Sequence, residues 1–143
     1  MPVLKSFPVF GEQVEVLIDG KTSDGLVAVV TQVSPPGGGP PPHLHTREDE
    51  TFTVVEGEFE IFNGTSWVPL RQGESFFGPR GIPHTFRNSG KTVGKIHVVV
   101  HPAGMDEYLE RISVLRMPED HEELTRISDA YGISFPPPPP RAS

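Results

Sequence analysis

Two histidines, His43 and His45, are separated by a single leucine and follow a run of glycines and prolines. In an extended strand, side chains two positions apart lie on the same face, so the two imidazoles should point the same way. A short polar bend over residues 46–49 comes next, and a second strand begins at Glu50. If the bend closes an antiparallel pair, the Glu50 carboxylate lies beside both imidazoles. Three potential metal ligands then converge on one point.

A third histidine, His84, follows a second segment rich in glycine and proline, residues 78–83. Such a segment turns sharply and delivers His84 to the start of another strand. Three neutral imidazoles and one carboxylate suit divalent Fe, Mn, Ni, Co or Zn, whereas Ca and Mg prefer oxygen ligands. We therefore predict one divalent transition metal per chain, bound by His43, His45, Glu50 and His84. The spacing leaves open whether the site is a closed tetrahedral one or keeps a position for water or substrate.

Other side chains near these four could also take part. Glu48 competes with Glu50 as a ligand, but we expect it to be a solvated charge in the polar bend. His97 lies in phase with His101 and opposite a row of apolar residues, and a role in the pocket as an acid–base group stays open. The sequence does not separate core residues from pocket walls among three nearby aromatic residues: Phe52, Phe76 and Phe86.

About the first hundred residues have the pattern of short β-strands. Residues 26–33 form a run rich in β-branched side chains, and residues 51–62 read as two strands that meet at Gly57. The dipeptide Asn63-Gly64 is typical of a hairpin turn, because both residues tolerate positive φ. Further short strands follow at intervals set by glycine and proline. This spacing predicts a mostly β sandwich or small barrel.

From Met105 onwards, apolar residues recur at helical spacing, and the pattern predicts two amphipathic helices. We place these helices at about residues 104–132, ending at Gly132. A proline-rich tail at 136–143 cannot continue a helix and favours polyproline II. We thus expect a single domain, with its β-barrel at about residues 8–103.

The bulk composition narrows the function classes. At 143 residues the chain fits one domain, and its mean hydropathy of −0.27 with no long apolar run argues against a membrane span. A net charge of −7 with scattered basic residues argues against nucleic-acid binding. No secretory signal is recognised at the N-terminus, so we expect a cytoplasmic protein. With no cysteine, the chain has neither a thiolate ligand nor a disulfide.

Ten residues at fixed spacing resemble the two motifs of the cupin superfamily. The first motif is matched by Gly37, His43, His45, Glu50 and Gly57, and the second by Gly73, Pro79, Gly81, His84 and Asn88. Both motifs fit without a gap. The resemblance implies a double-stranded β-helix, or jelly roll, with the metal inside the barrel, and commonly a dimer. More narrowly, the runs GGGPPPHLHTREDETFTVVEGEFEIF and YGISFPPPP are similar to small quercetin dioxygenase-like cupins.

This resemblance implies a metal-dependent dioxygenase acting on a flavonol or another aromatic enol or diol, with Glu50 as both ligand and general base. Two alternatives stay open: a metal-dependent isomerase or lyase of a small carbonyl substrate, in which Glu50 or His97 moves a proton, and a non-catalytic cupin that binds a small molecule. We also expect a homodimer, because the strand containing Val14, Val16 and Ile18 is a candidate open edge.

Overall fold

The computed structural model describes residues 2–137, which form eleven strands and two helices. In chain order these elements are β1 (Lys5–Val9), β2 (Glu12–Ile18), β3 (Ala28–Ser34), β4 (Leu44–His45), β5 (Asp49–Glu56), β6 (Glu58–Phe62), β7 (Trp67–Arg71), β8 (Ser75–Gly78), β9 (Thr85–Asn88), β10 (Gly94–His101), α1 (Met105–Ile112), α2 (His121–Ala130) and β11 (Ile133–Ser134). The predicted β class and both C-terminal helices are confirmed. Most of the predicted proline-rich tail lies outside the described residues.

The strands form two main sheets that face each other. One has six strands in the order β1-β2-β3-β10-β5-β8, the other has three in the order β7-β6-β9, and β4 pairs with β11. All these pairings are antiparallel. Phe52 of β5 and Phe86 of β9 meet between the sheets with ring centroids 6.1 Å apart, and Phe59 of β6 packs on Phe86 at 5.8 Å. The expected jelly-roll architecture is confirmed.

Strand β5 shows how the alternation of the sequence positions the site. Glu50, Phe52 and Val54 are buried in the barrel, while the residues between them are only half-buried. One face of β5 therefore carries a carboxylate and two core side chains. The strand ends before Gly57, which has a φ of +93°, and a Cβ atom there would lie 3.1 Å from the Cα of Gly94. The turn into β6 thus depends on glycine for its backbone angle and for the close approach.

The two helices close one side of the barrel with their apolar faces. Tyr108 and Leu109 of α1 are buried, as are Leu124 and Ile127 of α2. The hydroxyl groups of Tyr108 and Ser128 lie 2.7 Å apart and link the helices by a hydrogen bond. Within residues 2–137, neither of these helices has the length or the apolar character needed to cross a membrane.

The N-terminal strands differ from the prediction. Barrel pairing already begins at Lys5, in β1, where the sequence placed its start near residue 8. The predicted open edge is wrong, because β2 is paired with β1 on one side and with β3 on the other, and Val14 and Val16 are buried in the core. The edge strands of this sheet are β1 and β8. The homodimer stays a prediction, but β2 cannot be the strand that pairs.

Candidate metal centre

The structure brings together the four predicted ligands. His43, His45, Glu50 and His84 each offer one ligand atom, and these atoms all lie within 4.8 Å of one another. The Nε2 atom of His45 is 2.7 Å from Oε1 of Glu50, and Nε2 of His84 is 3.1 Å from Oε2 of the same carboxylate. The cluster is inside the barrel, with Glu50 only 1% exposed.

Backbone pairing sets the positions of these side chains. His43 and His84 form an isolated antiparallel bridge, in which each backbone N–H donates to the carbonyl of the other residue, at 3.0 and 2.9 Å. Glu50 is opposite Gly78 in the β5–β8 pair. A Cβ atom on Gly78 would lie 3.2 Å from the Phe52 ring and 3.6 Å from Nδ1 of His84. Glycine at this position therefore keeps space beside the histidine.

Each imidazole is oriented by an oxygen atom at its Nδ1. His43 Nδ1 lies 3.1 Å from the Pro41 carbonyl oxygen, and His84 Nδ1 lies 3.2 Å from the Ile82 carbonyl oxygen. Since a carbonyl only accepts, both Nδ1 atoms carry the proton, and each Nε2 of the neutral ring presents a lone pair. This is the arrangement that second-shell partners impose on histidines that bind metals.

Buried polar atoms of these four residues lack hydrogen-bond partners, and this also indicates that the residues could hold a cation. His45 Nε2 and Glu50 Oε1 are buried, and although they are 2.7 Å apart, neither has a well-directed hydrogen bond to a described residue. At His84, a lone pair of Nε2 faces a carboxylate oxygen, so two acceptors meet. Buried polar atoms without partners cost about 1–3 kcal/mol each. A divalent transition metal would satisfy all of them, and three nitrogens with one oxygen suit it.

The ionisation of the cluster is set by burial and by the contacts among its members. Burial and the neighbouring imidazoles of His84 and His45 lower the pKa of His43 to about 3. Burial opposes a charge on His45 as well, but the negative charges of Glu50 and Glu48 outweigh it and raise its pKa to about 10. Burial disfavours the ionised form of Glu50, yet His45 and His84 hold its pKa well below the usual value. Without a cation, the pair of His45 and Glu50 therefore retains a proton, which metal binding must release.

Glu48 is not the solvated charge that the sequence predicted. It is 4% exposed, and its Oε2 lies 3.1 Å from Nδ1 of His45. The chain at Gly104, just before α1, covers the bend, since a Cβ atom there would lie 3.7 Å from Oε1 of Glu48. The available signal was the separation of three residues from His45 in a tight bend, which lets the carboxylate turn back onto the ring. Glu48 is the residue that orients His45.

The other candidate residues, His97 and the three phenylalanines, do not all lie inside the barrel. His97 lies on the outer face of β10, opposite the buried Ile96 and Val98, and its cross-strand neighbours are Thr31 and Thr53. The open possibility that it lines the pocket is therefore wrong. Among the three phenylalanines, Phe52 and Phe86 line the pocket described next, while Phe76 packs against Phe52 with ring centroids 6.0 Å apart.

A pocket lies beside the metal ligands. Its cavity volume is about 40 Å³, counted as the space that the centre of a water molecule can occupy, and His43, His45 and Glu50 form one part of its wall. Most of the wall is aliphatic or aromatic, with rings from Phe10, Phe52, Phe86, Tyr108 and Phe135. Of the described residues that line it, none is lysine or arginine. The pocket therefore suits a largely apolar, uncharged ligand.

Sequence reasoning did not identify two polar residues of this pocket, Glu12 and Gln32. Glu12 is 2% exposed, and burial raises its pKa to about 7, against the opposing effect of a hydrogen bond from Ser34. The Ser34 hydroxyl donates to Oε1 of Glu12 at 2.5 Å. Both residues stand at positions that face inward on strands β2 and β3. A polar residue in the apolar phase of a strand was the signal that could have revealed them.

Comparisons with known proteins agree with the fold and the motifs. Residues 30–100 match the model of the Cupin_2 family, described as a cupin domain. A germin-like protein of subfamily 2 from Arabidopsis thaliana is 38% identical over 66 residues, which are 43% of this chain and 30% of that protein. The oxalate oxidase GF-2.8 of Triticum aestivum is 38% identical over 65 residues, 40% of this chain and 29% of its own length. The matches thus span less than a third of these curated relatives.

Among solved structures, an uncharacterised protein with a double-stranded β-helix domain from Klebsiella pneumoniae is similar, with a TM-score of 0.59 and 26% identity. The alignment covers 68% of this chain and 83% of that one. Fold, ligand cluster, both sequence motifs and the family match agree that residues 30–100 of this chain form a cupin domain.

Proposed function

We propose that this cupin is a metal-dependent dioxygenase that acts on a flavonol or another aromatic enol or diol. The observation that carries the proposal is the pocket, whose walls are mainly aromatic and aliphatic and which opens onto three of the four metal ligands. A planar aromatic molecule can bury its rings against such walls at about 25 cal/mol per Å² of apolar surface. One of its oxygens would then reach the ligand cluster.

The charge of the pocket separates this substrate class from small anions. One relative is named an oxalate oxidase, and oxalate is a dianion. A pocket for such an anion is expected to offer arginine or lysine, whereas the described residues that line this pocket include neither. The carboxyl group of Glu12 adds a further acidic side chain. The relative supports oxidation as the reaction class, and the lining favours a neutral substrate.

The side chains have separate tasks in this reaction. A divalent metal held by His43, His45, Glu50 and His84 would stabilise the negative charge on a substrate oxygen. Glu50 accepts the proton of the substrate hydroxyl group, since it is the carboxylate of the cluster and lines the pocket. The apolar walls orient the rings and exclude water, which strengthens each electrostatic interaction inside the pocket.

The test is oxygen consumption with quercetin as substrate. Protein loaded in turn with Fe, Mn, Co and Ni should consume dioxygen while the flavonol absorbance falls, and nothing should happen in an anaerobic cuvette. Glu50→Gln keeps the size of the side chain and one ligand oxygen but removes its basicity. It should retain part of the metal, because three imidazoles remain, and lose most of the turnover. If no metal form consumes oxygen with flavonols, the flavonol proposal is refuted.

The alternative of an isomerase or lyase makes the opposite prediction about oxygen. Such an enzyme would convert a small carbonyl substrate equally well with and without air. With His97 on the outer face of β10, Glu50 is the remaining candidate of the two for its proton transfer. Turnover that persists without oxygen would favour this alternative.

A further inference from the structure

The barrel interior contains a second group of polar side chains, away from the metal ligands. Glu12, Gln32 and Ser34 project inward from β2 and β3, and all three are buried. Their neighbours on the same face are apolar, among them Val14 and Ile96, which are fully buried. Burying polar groups in an apolar core is unfavourable unless they find partners. This group therefore needs an explanation.

Hydrogen bonds among Glu12, Gln32 and Ser34 leave some of their polar atoms without partners. Ser34 donates to Oε1 of Glu12, but Oε2 of the same carboxyl is buried and has no hydrogen-bond partner among the described residues. Gln32 is 6% exposed and lines the pocket, and its amide has both a donor and an acceptor to offer. No hydrogen bond of this amide is found within residues 2–137. A carboxyl oxygen and an amide are thus left for a ligand.

The register of the sheet places this group at a distance from the metal centre. Gln32 is paired with Ile96, and Glu50 is paired with Val100 of the same strand β10. Val100 is four residues after Ile96 on β10, and this separation corresponds to roughly 13 Å at about 3.3 Å per residue. Glu12 lies opposite Ser34, two residues further along β3. A ligand whose oxygen reaches the metal ligands must therefore be elongated to reach this group as well.

We propose that Glu12 and Gln32 form a substrate-recognition subsite, which binds a hydroxyl group on the end of the substrate remote from the metal. This proposal rests on the proposed function and narrows its substrate class to aromatic molecules that are hydroxylated at both ends. A hydroxyl group is the suitable partner because it both donates and accepts. It can therefore pair with the amide of Gln32 and with either protonation state of Glu12.

The chemistry of the lining excludes other partners for this subsite. A ligand carboxylate or phosphate would face Glu12 without a lysine or arginine among the described lining residues to compensate it. An ether or ketone oxygen only accepts, and so it leaves an ionised Glu12 unpaired. An alkyl or unsubstituted phenyl group would leave both polar groups unsatisfied, so the subsite should bind such ligands more weakly.

The experiment measures binding rather than turnover, with protein loaded with zinc, which has no redox chemistry. The two probes are 3-hydroxyflavone, whose single hydroxyl group is adjacent to the ketone, and quercetin, which adds hydroxyl groups on both outer rings. Calorimetry should show that the wild-type protein binds quercetin about tenfold more tightly than 3-hydroxyflavone. Gln32→Leu and Glu12→Leu should abolish this preference, because quercetin loses its hydrogen bonds and 3-hydroxyflavone no longer leaves these polar groups unsatisfied.

Matched controls keep the test specific. Gln13→Leu makes the same change on the exposed face of β2 and should retain the preference. Thermal unfolding will show whether the variants are folded, and if the leucine variants are not, Ser34→Ala replaces them. That substitution removes the hydrogen bond that orients Glu12 and should reduce the preference.

The possible outcomes separate this proposal from the function on which it rests. If both probes bind and the preference survives in every subsite variant, or is absent from the wild type, the subsite is refuted and the dioxygenase proposal stands. If neither probe binds the wild-type protein, the flavonol function fails and the subsite fails with it. The subsite is supported if the Glu12 and Gln32 variants lose the preference for quercetin while Gln13→Leu keeps it.

Discussion

Glu12 gives the sharpest prediction of this structure, because a buried carboxyl makes stability depend on pH. Its pKa is raised from 4.5 to about 7, with burial as the main cause and the Ser34 hydrogen bond opposing it. The folded protein therefore holds this proton more tightly than the unfolded chain does. Below pH 4.5 both states are protonated and the residue has no effect. Between pH 4.5 and 7 only the unfolded chain ionises, and stability falls until it levels off above pH 7.

The size of the effect follows from the shift. Each unit of pKa corresponds to about 1.36 kcal/mol, so a change from 4.5 to about 7 lowers the free energy of unfolding by roughly 3 kcal/mol at pH 8.5. Glu12→Gln is nearly isosteric and cannot ionise. The difference in stability between variant and wild type should therefore change by roughly 3 kcal/mol in favour of the variant as the pH rises from 4.5 to 8.5.

The assay is urea denaturation, followed by the fluorescence of Trp67, across this pH range and with a chelator present. Taking the difference between variant and wild type removes the titration of the metal ligands and of the surface, which is common to both proteins. Glu56→Gln, at an exposed position at the end of β5, is the matched control and should give a flat difference. A flat difference for Glu12→Gln as well would show that this carboxyl is solvated or paired, and the reasoning on its burial would be wrong.

Further predictions concern the metal centre and the assembly. His84→Ala should lower the metal content measured by elemental analysis, and unchanged stoichiometry would refute its role as a ligand. Glu48→Ala should weaken metal binding about 10- to 100-fold in competition with a chromophoric chelator, and Glu48→Gln should recover part of this loss by offering an acceptor to Nδ1 of His45. An unchanged affinity in Glu48→Ala would contradict the orienting role. His97→Ala, on the outer face, should leave metal binding unaltered. Light scattering should give twice 15.7 kDa for the homodimer, and a mass of one chain at micromolar concentrations would exclude it.

The sequence predicted that His43, His45, Glu50 and His84 lie together, because their positions depend on local geometry. Strand periodicity puts His43 and His45 on one face, and the turn rich in glycine and proline delivers His84 to the start of a strand. The two cupin motifs add the register between these segments. The end of a strand before Gly57 and the end of a helix before Gly132 could also be predicted from the sequence, because each glycine has a positive φ.

What the sequence did not predict depends on contacts between distant segments. Glu48 is polar and lies in a bend, and it is buried in the fold, where the distant chain at Gly104 comes close to its carboxylate. The sequence started the barrel at about residue 8 and so did not predict β1, whose Pro8 is a residue that argues against a strand interior. Proline is tolerated there because β1 is an edge strand. Glu12 was missed because its burial requires the barrel to close around the start of β2.

Two carboxyl groups of one pocket thus take opposite ionisation states for separable reasons. Burial raises the pKa of Glu50, but its contacts with His45 and His84 outweigh burial, so that its pKa lies well below the usual value. Glu12 has only a serine hydroxyl as partner, and burial therefore decides its pKa. An ionised group is suited to hold a cation and accept a proton, while one that titrates near neutral pH is suited to pair with a neutral hydroxyl group in either state. With a metal bound, the pocket would have a cation at one end and, at the other, a hydrogen-bonding carboxyl that titrates near pH 7. An elongated, uncharged ligand with oxygen at both ends matches this arrangement.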